Sequence, residues 1–303
     1  MTRATVTATA PATSANLGSG FDVFGLALAN PVDVVRVERA RTTTVEVTGW
    51  GSRYVPTDPA ENTAGVVAQE LDATAAIRID KGIRPASGLG SSAASAAATA
   101  LALDELYDLG HSRASLVRIA AEGERVVSGD AHADNVAPAI LGGFTAVTDE
   151  DVLQVPVDLP VVVCLPDTVI STSDARDVVP DSAAMADVVE TVGSAATLVL
   201  GMVRGDPALV GRGLHESVVT PPRAGLIDGY ERARSAALDA GAHGVTVSGA
   251  GPAVFAVPSL DGARRVASAM VDGFRAAGVD SRAYRTRIGR GAGLQESAND
   301  PER

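Results

Sequence analysis

The stretch from Pro85 to Ala98 constrains the fold of this chain most, because glycines and small side chains fill it. It reads Pro-Ala-Ser-Gly-Leu-Gly-Ser-Ser-Ala-Ala-Ser-Ala-Ala-Ala. Gly88 and Gly90 permit backbone angles that other residues rarely adopt, so they predict a tight turn. The serines that follow can cap a helix, and the alanine run favours helix because alanine loses no side-chain entropy there. The stretch therefore predicts a turn that enters the N-terminus of a helix of small residues.

A helix N-terminus of this kind is a predicted anion site. Its first N–H groups have no partner inside the helix, and the helix dipole attracts negative charge. A polyphosphate is the anion best suited to a loop without bulky side chains, and the Ser92 hydroxyl can ligate Mg²⁺ that bridges the phosphates. The loop lacks the lysine of a Walker loop. The alternative is an ordinary capped helix after a tight turn.

The sequence Gly-Leu-Gly-Ser-Ser-Ala that follows Pro85 closely resembles the phosphate loop of the GHMP kinases. This superfamily includes galactokinase, homoserine kinase, mevalonate kinase and phosphomevalonate kinase. The resemblance implies ATP and Mg²⁺ as cosubstrate and metal. It also implies nucleotide contacts from these residues of the loop: Pro85, Ser87, Gly88, Leu89, Gly90, Ser91, Ser92 and Ala93.

A polar, glycine-rich loop spans residues 11–22, directly after a strand predicted over residues 5–10. Loops of this composition on a strand end suit a binding site. Its sequence, Pro-Ala-Thr-Ser-Ala-Asn-Leu-Gly-Ser-Gly-Phe-Asp, resembles the first motif of the homoserine kinase branch. The mevalonate and galactose branches usually carry lysine or arginine in this loop, and this chain has neither. The resemblance implies that Asn16 and Asp22 contact the substrate.

The segment from Glu122 to Pro138 resembles a second block of the same branch. It implies that Glu124, on a helix predicted over residues 113–127, holds Mg²⁺ together with Ser92, and that His132 and Asn135 lie beside the substrate. A solvated glutamate and a polar helix cap are the alternatives. Other GHMP branches often carry a catalytic aspartate here, but Asp134 is followed by Asn135, so we assign no general base.

Later segments supply the remaining predicted contacts. The segment Ser-Thr-Ser-Asp-Ala-Arg at 171–176 resembles one that gives the branch a substrate threonine and a carboxylate-binding arginine, although a surface ion pair would also explain an arginine here. Asn62 resembles a residue near the adenine, or it caps the helix that follows it. The third glycine motif, at 248–252, resembles the one that packs beside the phosphate loop. The turn Thr-Pro-Pro-Arg at 220–223 resembles one that carries a second substrate arginine. Together these segments add four predicted substrate residues: Thr172, Arg176, Arg223 and Gly249.

The resemblance covers nearly the whole chain and implies an α+β fold of two domains with the active site in the cleft between them. Residues 1–157 would form an N-terminal, ATP-binding domain like domain 2 of ribosomal protein S5. Residues 158–290 would form a ferredoxin-like C-terminal domain. Residues 291–303 are expected to be a mobile tail. A length of 303 residues is enough for two such cores.

Composition excludes several classes of function. The net charge of −12 argues against nucleic acid as a partner. No continuous apolar run has membrane-spanning length and no leader opens the chain, so we expect a cytoplasmic protein without a membrane partner. Cys164 is the only cysteine and should be a buried thiol. Lys81 is the only lysine in the chain. Together with the acidic net charge, the scarcity of lysine favours adaptation to high salt. The alternative explanation for this composition is a GC-rich genome.

The function that the resemblance implies is ATP-dependent phosphorylation of L-homoserine, a step toward threonine. Its catalytic set would be Ser92, Glu124, Asn135 and Arg176, acting by position and charge. The alternatives are a GHMP kinase for mevalonate or shikimate and a binding protein that keeps the fold without the chemistry. A homodimer stays open as the assembly.

Overall fold

The computed structural model describes residues 4–128 and 133–295. The strands in these ranges are β1 Thr5–Ala15, β2 Phe24–Arg39, β3 Thr44–Gly49, β4 Ala75–Lys81, β5 Phe144–Val147, β6 Val152–Val155, β7 Pro160–Pro166, β8 Ala242–Val247, β9 Val254–Pro258, β10 Ser281–Arg287 and β11 Gly293–Leu294. The helices are α1 Thr63–Glu70, α2 Ser91–Tyr107, α3 Arg113–Ser128, α4 Ala133–Leu141, α5 Thr172–Asp177, α6 Met185–Arg204, α7 Pro207–Gly213, α8 Thr220–Ala224, α9 Tyr230–Asp239 and α10 Ala263–Ala276.

The first half of the chain, joined by β11 from the C-terminal end, builds one mixed sheet. Its strands lie in the order β11-β1-β2-β4-β3, and β5 and β6 extend it beside β2. Strand β1 continues to Ala15, past the Pro11 at which the sequence predicts its end. The pairing with β2 shifts register between Pro11 and Thr13, and such an irregularity accommodates a proline that cannot donate a ladder hydrogen bond. The strand therefore carries the first glycine-rich loop directly into the cleft.

Helix α2 lies in the centre of this half. Its alanines are completely buried, because small side chains let the helix pack closely against the sheet strands and against α1, α3 and α4 at once. The sequence predicted this helix correctly, and it extends to Tyr107. Its central position puts its N-terminus at the edge of the cleft.

The second half has the strand order and connections of a ferredoxin-like domain. Strands β10-β7-β9-β8 form an antiparallel sheet, and the chain runs β7, helices, β8, β9, α10, β10. Strand β7 is buried on both faces, as its continuous apolar run predicts. Alternate residues pack into different cores, with Val163 facing the first half and Cys164 facing α9 and α10. Burial raises the pKa of the Cys164 thiol to about 11.

The link between the sheets runs through residues 156–159, around the boundary predicted at residue 157. The start of the predicted tail differs from expectation. Strand β11 pairs with β1 through Leu294 opposite Ala8, and Arg113 donates hydrogen bonds to the carbonyl oxygens of Ile140 and Ala292. Backbone pairing and this arginine hold residues 291–295 on the first half of the chain. Residues 296–303 lie outside the described ranges.

Helix α6 also differs from expectation. Within the described ranges it alone is long and apolar enough to cross a membrane, although most of its apolar surface is exposed. The sequence contains no continuous apolar run of that length because Asp187, Glu190 and Arg204 interrupt it. Length and composition are weak indications of a membrane span.

Candidate active site

A cleft of about 450 Å³ lies between the two halves and contains most of the predicted site residues. One side is formed by the glycine loop before α2, and the other by α5, Arg223 and the third glycine motif. The first loop and the start of α4 form its floor. The predicted residues that line it are Asn16, Asp22, Asn62, Pro85, Ser87, Gly88, Gly90, Ser91, Ser92, Glu124, Asn135, Thr172, Arg176, Arg223 and Gly249.

The two loop glycines are needed where they stand. Gly88 has a φ of +79°, and a Cβ there would lie 2.5 Å from the carbonyl oxygen of Ser248. Gly90 has a φ of +61°, and a Cβ would lie 1.9 Å from Thr13 Oγ1. Any larger residue would be strained in angle and would also collide with the neighbouring segments. The loop is therefore shaped by close approach of backbone from both halves of the chain.

The third glycine motif fixes the loop from the other side. Ser248 Oγ donates to the Gly88 carbonyl oxygen at 2.7 Å and lies 2.8 Å from Ser14 Oγ. The Ala253 N–H donates to the Ser87 carbonyl oxygen at 3.1 Å. These bonds join the phosphate loop, the first loop and the hairpin between β8 and β9. The sequence resemblance implied this packing.

The N-terminus of α2 has no side-chain cap. Its capping position is Gly90, and the two candidate serines bond elsewhere. Ser91 Oγ donates to the Ile83 carbonyl oxygen at 2.9 Å, and Ser92 Oγ donates to Glu124 Oε2 at 2.8 Å. The expectation that a serine caps this helix is thus wrong. The first-turn N–H groups receive no side-chain acceptor, which suits an incoming anion.

Glu124 lies on α3 and is 7% exposed. Burial raises its pKa to about 7, against the opposing effects of the Ser92 hydrogen bond and the nearby Lys81 charge. The solvated glutamate that general burial trends favour is excluded. Ser92 and Glu124 thus present two oxygen ligands at the end of the loop. This set suits Mg²⁺, which takes one or two protein ligands and completes its octahedron with phosphate and water oxygens.

Lys81 and Asp33 form a buried ion pair beneath α2 that the sequence analysis missed. Lys81 Nζ contacts Asp33 Oδ2 and donates to the Ser91 carbonyl oxygen at 2.6 Å and to Ser95 Oγ at 2.8 Å. Asp33 accepts the backbone N–H groups of Gly82 and Ile83, both at 3.0 Å. Burial raises the pKa of Asp33 and lowers that of Lys81, and their mutual attraction opposes both shifts. The pair ties β2 and β4 to the start of α2.

Opposite charges face each other across the substrate side of the cleft. Arg176 Nη1 donates to Asp22 Oδ2 at 2.8 Å, so the two predicted substrate ligands pair with one another. The guanidinium carbons of Arg176 and Arg223 lie 5.2 Å and 4.9 Å from the centre of the Phe21 ring. Arg223 Nε also donates to the Ala175 carbonyl oxygen at 2.9 Å. The surface ion pair weighed for Arg176 is real, but it lies inside the cleft.

Asn16 and Asn135 complete this region. Asn16 has a φ of +68°, and its Oδ1 accepts the Asp22 N–H at 3.0 Å, which fixes the direction of that aspartate. Asn135 Oδ1 accepts from Thr13 Oγ1 at 2.8 Å. Thr172 is the first residue of α5, and the α5 cap is Ser171, whose side chain accepts the Asp174 N–H. These bonds position the predicted substrate residues from three separate elements.

Asp134 is a further buried carboxyl group in the cleft, at the start of α4. It is 4% exposed. Burial and the negative charge of Asp22 raise its pKa to about 7, and Asn135 and Arg176 oppose the shift. In the sequence this residue was weighed only as a base. Asp134 lies in the first turn of α4, where the helix dipole commonly favours an aspartate, so the sequence pattern did not indicate that this carboxyl group is buried.

A few predicted residues do not contribute side chains to the cleft. Leu89 and Ala93 are packed in the hydrophobic core, so only their backbone atoms can serve a nucleotide. Asn62 lines the cleft, but its side chain caps α1 at the Ala64 N–H and donates to the Pro56 carbonyl oxygen. A contact of Asn62 with adenine stays a prediction. His132 lies outside the described residues.

Comparison with known proteins agrees with this architecture. Residues 60–143 match the family model for the N-terminal domain of GHMP kinases, and residues 198–276 match the model for their C-terminal domain. A homoserine kinase of Halorubrum lacusprofundi is 65% identical over 96% of this chain and 99% of its own. A homoserine kinase of Haloarcula marismortui is 64% identical over 95% of this chain and 99% of its own.

A solved structure gives the same result. The crystal structure of homoserine kinase from Cytophaga hutchinsonii superposes with a TM-score of 0.88 at 34% identity, over 97% of this chain and 98% of that one. Similarity of this extent covers the two sheets and the cleft between them. By sequence and by fold, this chain belongs to the homoserine kinase family of the GHMP kinases.

Proposed function

We propose that this protein transfers the γ-phosphoryl group of ATP to the side-chain hydroxyl of L-homoserine. The observation that carries the proposal is the pairing of Asp22 with Arg176 in the cleft that also holds the uncapped N-terminus of α2. A zwitterionic amino acid can replace such a pair by offering its own ammonium and carboxylate. A phosphate site and an amino-acid site thus share one cleft.

The loop fits a nucleoside triphosphate. Ser87 Oγ is buried beside the cleft and finds no hydrogen-bond partner among the described residues, so a ligand oxygen would satisfy it. The first-turn N–H groups of α2 add donors for the phosphates. We assign Ser92 and Glu124 to Mg²⁺ and Lys81 to the support of the loop. Part of the phosphate charge is neutralised by Mg²⁺ when it is bound there.

The two charged groups of homoserine are assigned to cleft residues of opposite charge. The Arg176 guanidinium is suited to the α-carboxylate, since an arginine can donate two parallel hydrogen bonds to it. Arg223 adds positive charge on the same side. Asp22 and Asp134 are suited to the ammonium, and Asp134 gains most from it because it is buried. Asn16 fixes Asp22, and Asn135 stands between the acidic residues and the phosphate loop.

In the transfer, the homoserine hydroxyl oxygen forms a bond to the γ-phosphorus, and the bond from that phosphorus to the β–γ bridging oxygen breaks. ADP leaves with the electron pair of that bond. The hydroxyl proton departs on an oxygen of the transferred phosphoryl group, so no side chain is needed as base. A loose transition state permits catalysis by position and charge. The product is O-phospho-L-homoserine, and we place the reaction in cytoplasmic threonine synthesis.

A substrate panel tests the proposal. We expect kcat/KM for L-homoserine to exceed that for mevalonate or shikimate by ~10⁴-fold, because these acids lack an ammonium and would leave the buried Asp134 carboxylate without that partner. ADP release in the presence of Mg²⁺ is the measurement. Faster turnover of mevalonate or shikimate would contradict the substrate, and absence of turnover with all three would favour a binding protein of this fold.

We also expect the folded state to be most stable at molar salt. The net charge is −12, and self-repulsion among surface carboxylates destabilises a compact state. At ~1 M salt the screening length is only ~3 Å, so this repulsion is largely removed. The melting temperature should rise along a KCl series. Sucrose at matched osmolality is the control, and a melting temperature that is flat or falls with KCl rejects adaptation to salt.

A further inference from the structure

A buried glutamate precedes α8, the short helix that carries Arg223. Glu216 is only 6% exposed, and its carboxylate accepts three successive backbone N–H groups. Its Oε1 accepts from Val218 and, at 2.6 Å, from Val219, and its Oε2 accepts from Thr220 at 2.6 Å. Hydrogen bonds from backbone amides to a carboxylate are charge-assisted and strong. One side chain therefore fixes the turn that leads into α8.

Helix α8 has few other means of holding its conformation. It spans only Thr220–Ala224, and a helix of this length is not stable without tertiary support. Its capping residue is Val219, whose apolar side chain accepts no N–H group. Pro221 and Pro222 have no N–H to donate. The amides at the start of this helix that need an acceptor are therefore those that Glu216 accepts.

The chain on both sides of Glu216 is anchored. On one side, Ser19 Oγ in the first glycine-rich loop donates to the Gly213 carbonyl oxygen at 2.6 Å. On the other side, Ser217 Oγ donates to the carboxylate of Glu190 on α6 at 2.8 Å. The Glu216 carboxylate therefore acts on α8 from a fixed place.

Arg223 is buried at the cleft and is oriented by backbone acceptors. Its Nε donates to the Ala175 carbonyl oxygen at 2.9 Å, and its Nη1 donates to the Gly249 carbonyl oxygen at 3.3 Å. Its Nη2 donates no hydrogen bond to any residue that the structure describes, so this nitrogen is available to a substrate carboxylate. The place of Nη2 depends on where α8 holds the backbone of Arg223. A displacement of about 1 Å at such a group is enough to weaken a site strongly.

The charge of Glu216 also acts on Arg223. Burial and the positive charge of Arg176 lower the pKa of the Arg223 guanidinium. Three carboxylates oppose this shift, those of Asp22, Asp134 and Glu216. Asp22 and Asp134 line the cleft, where we assign them to the substrate ammonium, whereas Glu216 does not line it. Glu216 therefore stays a partner for the arginine charge when the substrate is bound.

We propose that Glu216 is a positioning residue for the substrate carboxylate and acts by holding Arg223 in place through α8. This assignment rests on the proposed function, because it takes Arg223 as a ligand of the homoserine carboxylate. Loss of the Glu216 carboxylate should weaken the hold on that end of the substrate alone. A glutamate that only stabilised the domain would affect all substrates alike.

Two substrates that differ by one carboxylate test this assignment. Glu216→Gln keeps the shape of the side chain but replaces one acceptor oxygen by an NH₂ group, so at least one of the three bonds is lost. The KM for L-homoserine should rise ~10-fold, as expected when one hydrogen bond to a charged group is weakened, and kcat should hardly change. The kcat/KM for 3-aminopropan-1-ol, which has no carboxylate, should also hardly change. Equal losses with both substrates would overturn the assignment.

Asp206→Ala is the matched control for stability. Asp206 Oδ1 accepts the N–H groups of Ala208 and Leu209 at the start of α7, in the same half of the chain. Both substitutions should lower the melting temperature, because each removes an acceptor at the start of a helix. Only Glu216→Gln should raise the KM for homoserine. An equal rise in Asp206→Ala would show that lost stability is the cause and would overturn the assignment.

A double variant tests whether Glu216 acts through Arg223. Arg223→Ala should raise the KM for homoserine, and adding Glu216→Gln should raise it little further, because a positioning residue has no effect once the group that it positions is gone. Multiplied effects of the two substitutions would overturn the assignment.

Circular dichroism shows whether each variant is folded at the assay temperature. If Glu216→Gln does not fold, Glu216→Asp takes its place, because it keeps the charge and withdraws the oxygens by one methylene group. It should show the same selective loss with homoserine. A wild type that is inactive with homoserine would overturn the reaction and this assignment together. An active wild type whose KM is matched by Glu216→Gln would overturn the assignment alone.

Discussion

Glu124→Gln should lower kcat by about 100-fold or more without unfolding the protein. Glutamine has nearly the same shape and can still accept the hydrogen bond from Ser92, which is 2.8 Å long in the native chain. The substitution removes the carboxylate charge that we propose binds Mg²⁺. Loss of one group that acts on transition-state charge typically costs ~3 kcal/mol. The measurement is kcat for homoserine together with its dependence on Mg²⁺ concentration.

Ser92→Ala should have an effect of the same order, and the double variant should be little worse than either single one. The two residues are proposed to hold one ion, and groups that act as a unit have strongly non-additive effects. Glu122→Gln is the matched control and should keep native turnover, because Glu122 lies about half a turn from Glu124 on the same helix and pairs with Arg125 at the surface. Native turnover in Glu124→Gln or Ser92→Ala would contradict the assignment of the metal.

The local part of this site could be predicted from the sequence. The turn and α2 follow from Gly88, Gly90 and the alanine run, since each favours its conformation through its own backbone or side-chain freedom. The capping role of the serines was predicted wrongly because their partners, Ile83 and Glu124, come from other segments. Local propensity indicates a helix start, but it does not say where each hydroxyl donates.

The long-range part could not be predicted in this way. Lys81 and Asp33 are separated by 48 residues and meet only because β2 pairs with β4 beneath α2. Burial raises the pKa of Asp134, and burial is a property of the packed domain. The expected mobility of the tail was inferred from its polar composition, yet β11 needs only backbone atoms to pair with β1. Contacts made by the main chain leave little trace in side-chain patterns.

Asp134→Asn should reduce kcat/KM for L-homoserine by ~100-fold and hardly change the use of 4-hydroxybutyrate. That acid is homoserine without its ammonium, so it gains nothing from the carboxylate that we assign to the ammonium. An unpaired buried charge costs a site several kcal/mol, and a hydrogen-bonded charge is worth ~3 kcal/mol. The wild type should therefore strongly prefer homoserine, and Asp134→Asn should lose most of that preference.

Arg176→Ala should remove the preference for substrates that carry a carboxylate. The kcat/KM for homoserine should fall at least as far as in Asp134→Asn, since a guanidinium fixes the direction of the carboxylate and also neutralises its charge. 3-Aminopropan-1-ol, which lacks the carboxylate, should be nearly unaffected. Asp22→Asn should weaken homoserine use less, because Asp22 also pairs with Arg176 in the unliganded chain. Asp174→Asn, an exposed aspartate on the same helix as Arg176, is the control and should behave as the wild type.

The pH dependence of KM separates a partner for the ammonium from a general base. Burial and the negative charge of Asp22 raise the pKa of Asp134 to about 7, and the positive charge of Arg176 opposes this shift. The charges of Arg223 and Glu124 also act on the Asp134 carboxyl group. Homoserine binds the ionised form, so its KM should fall by up to ~10-fold per pH unit as pH rises through this range. If Glu124 binds Mg²⁺ as we propose, saturating Mg²⁺ should keep that carboxyl group ionised during the test. Asp134→Asn should abolish the dependence of KM. If it instead lowers kcat equally for homoserine and 4-hydroxybutyrate, Asp134 takes the hydroxyl proton and the ammonium assignment is wrong.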